Sequence, residues 1–188
     1  MNRVTVSVAA FDGVPDMPEP KWGKSLGGFA RKVLARLGRN NWDLSVLLCT
    51  DKTIGGLNRR YRGRAEATDV LSFAQDEGKE FPGQCRNGRQ RIPGDIAISL
   101  DTMRKNAGRF GISEDEELRR LLIHGILHLD GMDHKSNRET EPMLQLQEKI
   151  LTDLEGARIL PASLGKTASL RKTASPLETK VRLSGSKP

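Results

Sequence analysis

His124-Gly-Ile-Leu-His128-Leu-Asp-Gly131-Met-Asp-His134 contains all three histidines of a 188-residue chain. On a helix, residues four apart share a face one turn apart, so His124 and His128 point at a common centre. Gly131 can end that helix, because glycine takes the left-handed cap conformation without a Cβ clash. The returning chain then brings His134 to the same point. Three imidazoles around one open position make the ligand set of a catalytic zinc, with water as the fourth ligand. The plainer alternative is three polar residues on a buried helix. Apart from the histidines, Leu121 to Leu129 is apolar, and buried imidazoles without a partner are costly. A shared metal answers that cost. A nitrogen-only set suits zinc, one per chain, although nickel, copper or iron also bind such sets.

The elements around this segment follow from periodicity. Upstream, Ser113-Glu-Asp-Glu116 reads as a capping box that opens the histidine helix. Downstream, Met143, Leu144, Leu146, Ile150, Leu151 and Leu154 predict a last helix with Pro142 in its first turn. Residues 3–9 alternate as a half-buried strand, and Trp22, Leu26, Phe29, Ala30, Val33, Leu34 and Leu37 recur at helical spacing until Gly38 and Asn40 stop them. Leu44 to Cys49 is a second strand. Thr50 or Asp51 caps a short helix with Ile54, Leu57 and Tyr61 on one side, which ends in the run Arg59-Arg60-Tyr61-Arg62-Gly63-Arg64. Val70-Leu-Ser-Phe73 predicts a buried strand, residues 75–92 a long polar surface loop, and Gly94 to Ser99 a fourth strand. Asp101 then opens a helix reaching about Arg109, closed by Gly108 or Gly111. The expectation is an α+β domain over residues 1–160. It has a single four-stranded mixed sheet, about five helices in a layer on one sheet face, and the histidine helix central.

From Pro161 the chain is rich in Ser, Thr, Lys and Pro without apolar periodicity, so residues 161–188 are expected to be a disordered basic tail. The net charge is +7, of which the tail carries +5 and residues 1–160 only +2. An anionic partner such as nucleic acid fits that charge, but a site for it on the folded part must be local. No apolar run is long enough to span a membrane, and the opening stretch reads as a strand rather than a signal peptide. Cys49 and Cys85 form no paired motif, which fits a reducing cytoplasm.

The histidine spacing also fits a metalloprotease pattern, in which the residue after the first histidine is the glutamate base. Here that position is Gly125. A missing base costs about 10²–10⁴-fold, which weakens the protease reading. A metal that lowers the pKa of water suits an ester whose negative charge is met by cations. Phosphodiester hydrolysis, with an arginine of the 59–64 cluster on the phosphate, combines both features. Arg59, Arg60, Arg62 and Arg64 are the candidates, and Tyr61, ahead of Arg62, is expected to anchor the helix end in the core.

The histidine stretch resembles the signature of the YbeY family, bacterial zinc-dependent endoribonucleases of rRNA maturation. Leu57-Asn58-x-x-Tyr61-Arg62, Thr68-Asp69-Val70-Leu71-Ser72-Phe73 and Gly94-Asp95-Ile96 agree in order and spacing, so the resemblance covers about residues 40–155. It implies a cytoplasmic, single-strand-specific endoribonuclease that acts in small-subunit rRNA 3′-end processing and ribosome quality control. RNA and the small ribosomal subunit with its associated factors would be its partners, with no membrane and no DNA expected. His124, His128 and His134 match the zinc ligands, and Arg62 the functional arginine. Met132 stands where the family usually has Tyr, and Ala74 where Pro commonly follows Ser-Phe; neither is a ligand position. The rival readings are a ribosome-assembly or RNA-binding factor with a structural zinc, and a zinc metalloprotease. The first would need a fourth protein ligand, for which Cys85, Asp130 and Asp133 are the candidates.

Overall fold

Alternation sets the first layer. The computed structural model describes residues 1–9, 22–74 and 92–161. The expected loop over 75–92 lies almost wholly, and the expected tail from residue 162 onward, outside these. Strand β2 (Trp42–Cys49) buries Trp42, Leu44, Val46 and Leu48 on one face and turns Asp43, Ser45 and Leu47 to the other. Strand β1 (Arg3–Ala9) pairs with it in parallel, Val4 beside Leu44 and Val6 beside Val46. On the other side β4 (Ile92–Ser99) is also parallel, with Val46 beside Ile96 and Leu48 beside Ile98. Strand β3 (Val70–Ala74) closes the sheet antiparallel to β4, giving the order β1-β2-β4-β3. The sheet is therefore four-stranded and mixed, as expected.

The even-numbered face of β2 and β4 receives the main core. Helix α1 (Gly23–Arg36) lays Leu26, Phe29, Ala30, Val33 and Leu34 against it. Helix α4 (Glu114–Leu129) adds Leu118, Leu122, Ile123, Ile126 and Leu127, and α5 (Pro142–Asp153) adds Met143, Ile150 and Leu151. Helix α4 packs against α1, α3, α5, β3 and β4, so the histidine helix is central. Helix α3 (Leu100–Phe110) continues directly from β4, capped by Ser99, whose hydroxyl oxygen accepts from the Thr102 N–H at 3.3 Å.

One expectation fails here. The helices do not form a layer on one face, because α2 (Asp51–Arg62) lies on the opposite one. Its Ile54 and Leu57 meet Leu47, Cys49, Leu71, Phe73 and Ala97, the alternate residues of β2, β3 and β4. Those side chains would otherwise leave a second apolar face in water. Nor is β3 a buried strand. Only Leu71 is buried, since β3 stands at the sheet edge with Val70, Ser72 and Phe73 half-buried and Ala74 exposed.

The ends of the helices are tied by charged groups. Ser113 caps α4, its hydroxyl oxygen accepting from the Glu116 N–H at 3.1 Å, while the Glu116 carboxylate is taken by Arg120 at 3.0 Å. Asp115, also in the first turn, accepts the N–H groups of Ile159 and Leu160 at 2.7 Å each and pairs with Arg119. That clasp carries the chain beyond α5 back onto the core, and it fixes Ile159 and Leu160 as part of the domain. Asp51 at the start of α2 accepts from Ser99, Thr102 and Lys105, each at 2.6 Å. Burial raises its pKa, but these three bonds outweigh it and hold the carboxyl at about 2.

Glu117 is the reverse case. It is 2 % exposed, its Oε2 has no hydrogen-bond partner, and Arg120 comes no nearer than 3.8 Å. Burial pushes its carboxyl up to about 7, aided by the charges of Asp69 and Glu116 and opposed by Arg120 and Asn106. A carboxyl with a raised folded-state pKa is protonated at no penalty below its unfolded value. It loses stability as pH rises from about 4.5 towards 7, and the loss is complete above that. Glu117→Gln is therefore expected to gain on the wild type by ~3 kcal/mol between pH 4 and pH 8. Urea unfolding of both proteins across that range measures it; a difference that does not change with pH would contradict the assignment.

Candidate metal centre

Helix α4 ends where the sequence motif placed its end. Asp130 is the C-cap, the N–H groups of Asp130 and Met132 reach back to Ile126 and Leu127, and Gly131 turns the chain at φ +87°. His124 and His128 thus project one turn apart, and the turn returns His134 beside them. Ligand atoms of the three lie within 4.8 Å of one another, the sole such group of three among the described residues.

The other nitrogen of each ring decides what the site wants. His124 Nδ1 faces Gln147 Oε1 at 2.9 Å, His128 Nδ1 the Met132 carbonyl at 3.0 Å, and His134 Nδ1 the Ser136 carbonyl at 3.0 Å. A carbonyl oxygen only accepts, so each Nδ1 carries the proton and each neutral ring keeps its lone pair on Nε2. His124 Nε2 and His128 Nε2 then face each other at 3.0 Å with no hydrogen between them. Two lone pairs at that distance repel unless a positive species joins them. A proton is disfavoured, because burial lowers the pKa of both rings and the neighbouring histidines lower it further. The donor set fits a metal cation.

Gln147 is a site residue that the sequence reading passed over. It is 6 % exposed and sits on the buried stripe of α5 with Met143, Ile150 and Leu151. A glutamine at a core position of an amphipathic helix is itself the signal, since a buried amide needs a buried partner. Of the candidate fourth ligands, Asp130 accepts from Arg39 Nε and Nη2, one on each carboxylate oxygen. Asp133 points largely to solvent, its Oδ1 accepting from the His134 N–H at 2.8 Å. Cys85 lies outside the described residues. Among those described, three residues are placed to hold a metal, and one side of the group is open.

That side is a cleft of about 380 Å³, lined by His124, His128 and Arg62 together with Val70, Ser72 and Asp133. Arg62 reaches it from the far face of the sheet. Gly63, at φ +68°, ends α2 beyond the edge strand, and Arg62 Nη2 donates to the Ser72 carbonyl on β3 at 3.1 Å. The bond holds the guanidinium beside the cleft, where its charge lowers the pKa of His128. The arginines of the 59–64 run part company here. Arg59 lines a separate groove with Lys52 and Gly55, and Arg60 lies over the Tyr61 ring. Tyr61 does not anchor the helix end in the core. It is 58 % exposed and touches Phe73 edge-on. The helix end is braced instead by Asn58, 7 % exposed, which donates to the Glu66 carbonyl at 2.8 Å.

The glycine at the protease-base position has a packing role. A Cβ on Gly125 would lie 2.9 Å from Ile96 Cδ1 and 3.0 Å from its Cγ2, so this side of α4 faces β4. Gly94 answers it from the strand, where a Cβ would meet Leu129 Cδ1 at 2.7 Å. Helix and sheet approach closely because both positions lack a side chain. Alanine at 125 gains ~1 kcal/mol of helix propensity but overpacks the core at a cost of about 1–3 kcal/mol. The expected net result for Gly125→Ala is a stability loss, read as a lower urea midpoint; a midpoint at or above the wild type would contradict the close fit.

The chain is similar to known proteins. The sequence model of the family described as Endoribonuclease YbeY matches residues 18–155. A protein of that name from Treponema pallidum is 41 % identical over 166 residues, spanning 87 % of this chain and 96 % of the relative. Another, from Aquifex aeolicus, is 41 % identical over 157 residues, or 83 % and 94 % of the two chains. The solution structure of a Thermotoga maritima protein superposes with a TM-score of 0.52 at 26 % identity, covering 83 % of this chain and 90 % of that one.

Proposed function

The chain belongs to the YbeY endoribonuclease family, and from that premise we propose that it hydrolyses RNA phosphodiester bonds with a zinc ion on His124, His128 and His134. The observation that carries the reading is the meeting of three histidine ligand atoms within 4.8 Å of one another, with His124 and His128 lining the same open cleft as Arg62. His124, His128 and His134 would hold the zinc, which would supply Lewis acidity and the activation of water near neutral pH. The chain's own groups do the rest. Gln147 and the carbonyls of Met132 and Ser136 fix the tautomer and the direction of each imidazole, which keeps the three ligands preorganised. Arg62, steadied by the Ser72 carbonyl, holds a phosphate across the mouth of the cleft and meets the charge that grows on it in the transition state. Asp133 braces the ligand turn through the His134 N–H.

The physiological substrate in this reading is unpaired rRNA, with small-subunit 3′-end maturation and ribosome quality control as its setting and the cytoplasm as its place. No described helix is long and apolar enough to cross a membrane. The open side of the centre speaks against a purely structural zinc, which closes with four protein ligands. Gly125, packed on Ile96, speaks against a protease base at that position. The test is an end-labelled single-stranded RNA incubated with the zinc-loaded protein beside a duplex RNA and a DNA of the same sequence. Internal cuts in the single-stranded RNA alone are expected, and equal cutting of DNA, or none of RNA, would overturn the reading.

A further inference from the structure

Tyr61 sits where a core anchor was expected, yet more than half of the residue is exposed. It is the single tyrosine of the chain and 58 % exposed. The ring is nevertheless held. Phe73, packed with Leu57 and Leu71 in the smaller apolar cluster, lies 5.1 Å away between centroids with the planes at 61°. The Arg60 guanidinium lies 5.5 Å from the centroid of the Tyr61 ring. An exposed aromatic forgoes the ~1.5–3 kcal/mol that a large apolar side chain gains on burial, and the helix end already has Gly63 and Asn58 to close it. Its location is specific. Tyr61 immediately precedes Arg62, and its contact Phe73 lies between Ser72 and Ala74, both of which line the metal cleft. The ring therefore stands across the edge strand β3 from the cleft, on the side from which Arg62 reaches in.

We infer that Tyr61 is a stacking platform for an unpaired RNA base adjacent to the phosphate held by Arg62, an inference that rests on the endoribonuclease reading. A single-stranded nucleotide offers a flat base and a charged phosphate, and consecutive residues here present a partner for each. Bases stack on tyrosine without regard to sequence, and a guanidinium beside the ring adds a cationic contact to the same face or to the neighbouring phosphate. A base in a duplex is already stacked and paired, so it cannot reach the ring without leaving its helix. Tyr61 thus favours unpaired substrate through binding and touches no reacting atom.

The experiment uses the full chain and a short single-stranded RNA, compared with the same RNA carrying one abasic nucleotide beside the cleaved phosphate. Equilibrium binding is measured on metal-free protein, and steady-state cleavage on zinc-loaded protein. Tyr61→Ala and Tyr61→Leu are expected to raise Kd and KM for the intact RNA about tenfold with kcat within about twofold. Tyr61→Trp should restore both, and the abasic RNA should bind wild type and Tyr61→Leu alike. The comparison of intact and abasic RNA on the wild type needs no variant, so misfolding of Tyr61→Ala would leave the test standing. Equal affinity of the wild type for the two RNAs, or the same loss in Tyr61→Leu on both, would overturn the platform. If the wild type binds RNA with the Tyr61 dependence but cuts none, the endoribonuclease reading fails and the platform stands. Cleavage that is indifferent to Tyr61 has the opposite meaning.

Discussion

Arg62→Ala is expected to lower single-turnover cleavage of single-stranded RNA about 10²-fold, the usual effect of removing one preorganised charge donor of ~3 kcal/mol from the transition state. Fold and bound metal should be unchanged, because the side chain is exposed and its one bond is to the Ser72 carbonyl of an edge strand. Arg59→Ala is the control. Arg59 has the same charge three residues away but lines another groove, so it should lose little, and mainly in salt-dependent binding. Single-turnover conditions matter because slow product release would hide a chemical defect. Equal, modest losses in both variants would make Arg62 one charge in a patch.

His124→Ala combined with His128→Ala should carry the larger effect. Two of three ligands are then gone, and metal analysis of the purified variant is expected to fall from one ion per chain to none. Cleavage should fall by on the order of 10³-fold or more, since the chemistry a metal would supply there, activation of water at neutral pH, is lost with it. A metal held by the three histidines would also join the end of α4 to the turn that follows it. A metal that binds only the folded chain stabilises it by mass action, so chelation of the wild type should lower Tm, whereas the double variant should ignore chelator. Stoichiometric metal in the double variant would remove the histidines as ligands.

How far the sequence could be read varies by residue. The histidine helix, its Ser113 cap and its Gly131 turn are local, written in spacing and in the special conformations of a few residue types, and they appear where expected. The strands and helices were legible from alternation and helical spacing. The placement of α2 was not. Ile54 and Leu57 announce an apolar side, but periodicity does not say which face of a sheet receives it. The same limit hid the edge position of β3, because an apolar run of four residues reads alike at the centre and at the margin of a sheet. Arg62 gained its place through that tertiary arrangement. Only a helix on the far face, ending beside an edge strand, separates it from Arg59 and Arg60. Tyr61 was misplaced because an aromatic at helical spacing is normally a core residue. In the sequence Gly125 shows only a missing base, while its packing on Ile96 depends on how closely α4 approaches β4.

The central claim is that the three histidines hold a metal which cuts RNA. It is tested most directly by one protein preparation divided into three parts: as purified, stripped with chelator, and stripped then reloaded with zinc. Each is given single-stranded RNA and, alongside it, casein. The account predicts RNA cleavage in the first, its loss in the second, its return in the third, and intact casein throughout. Cleavage that survives chelation, or casein digested while RNA stays whole, would contradict it.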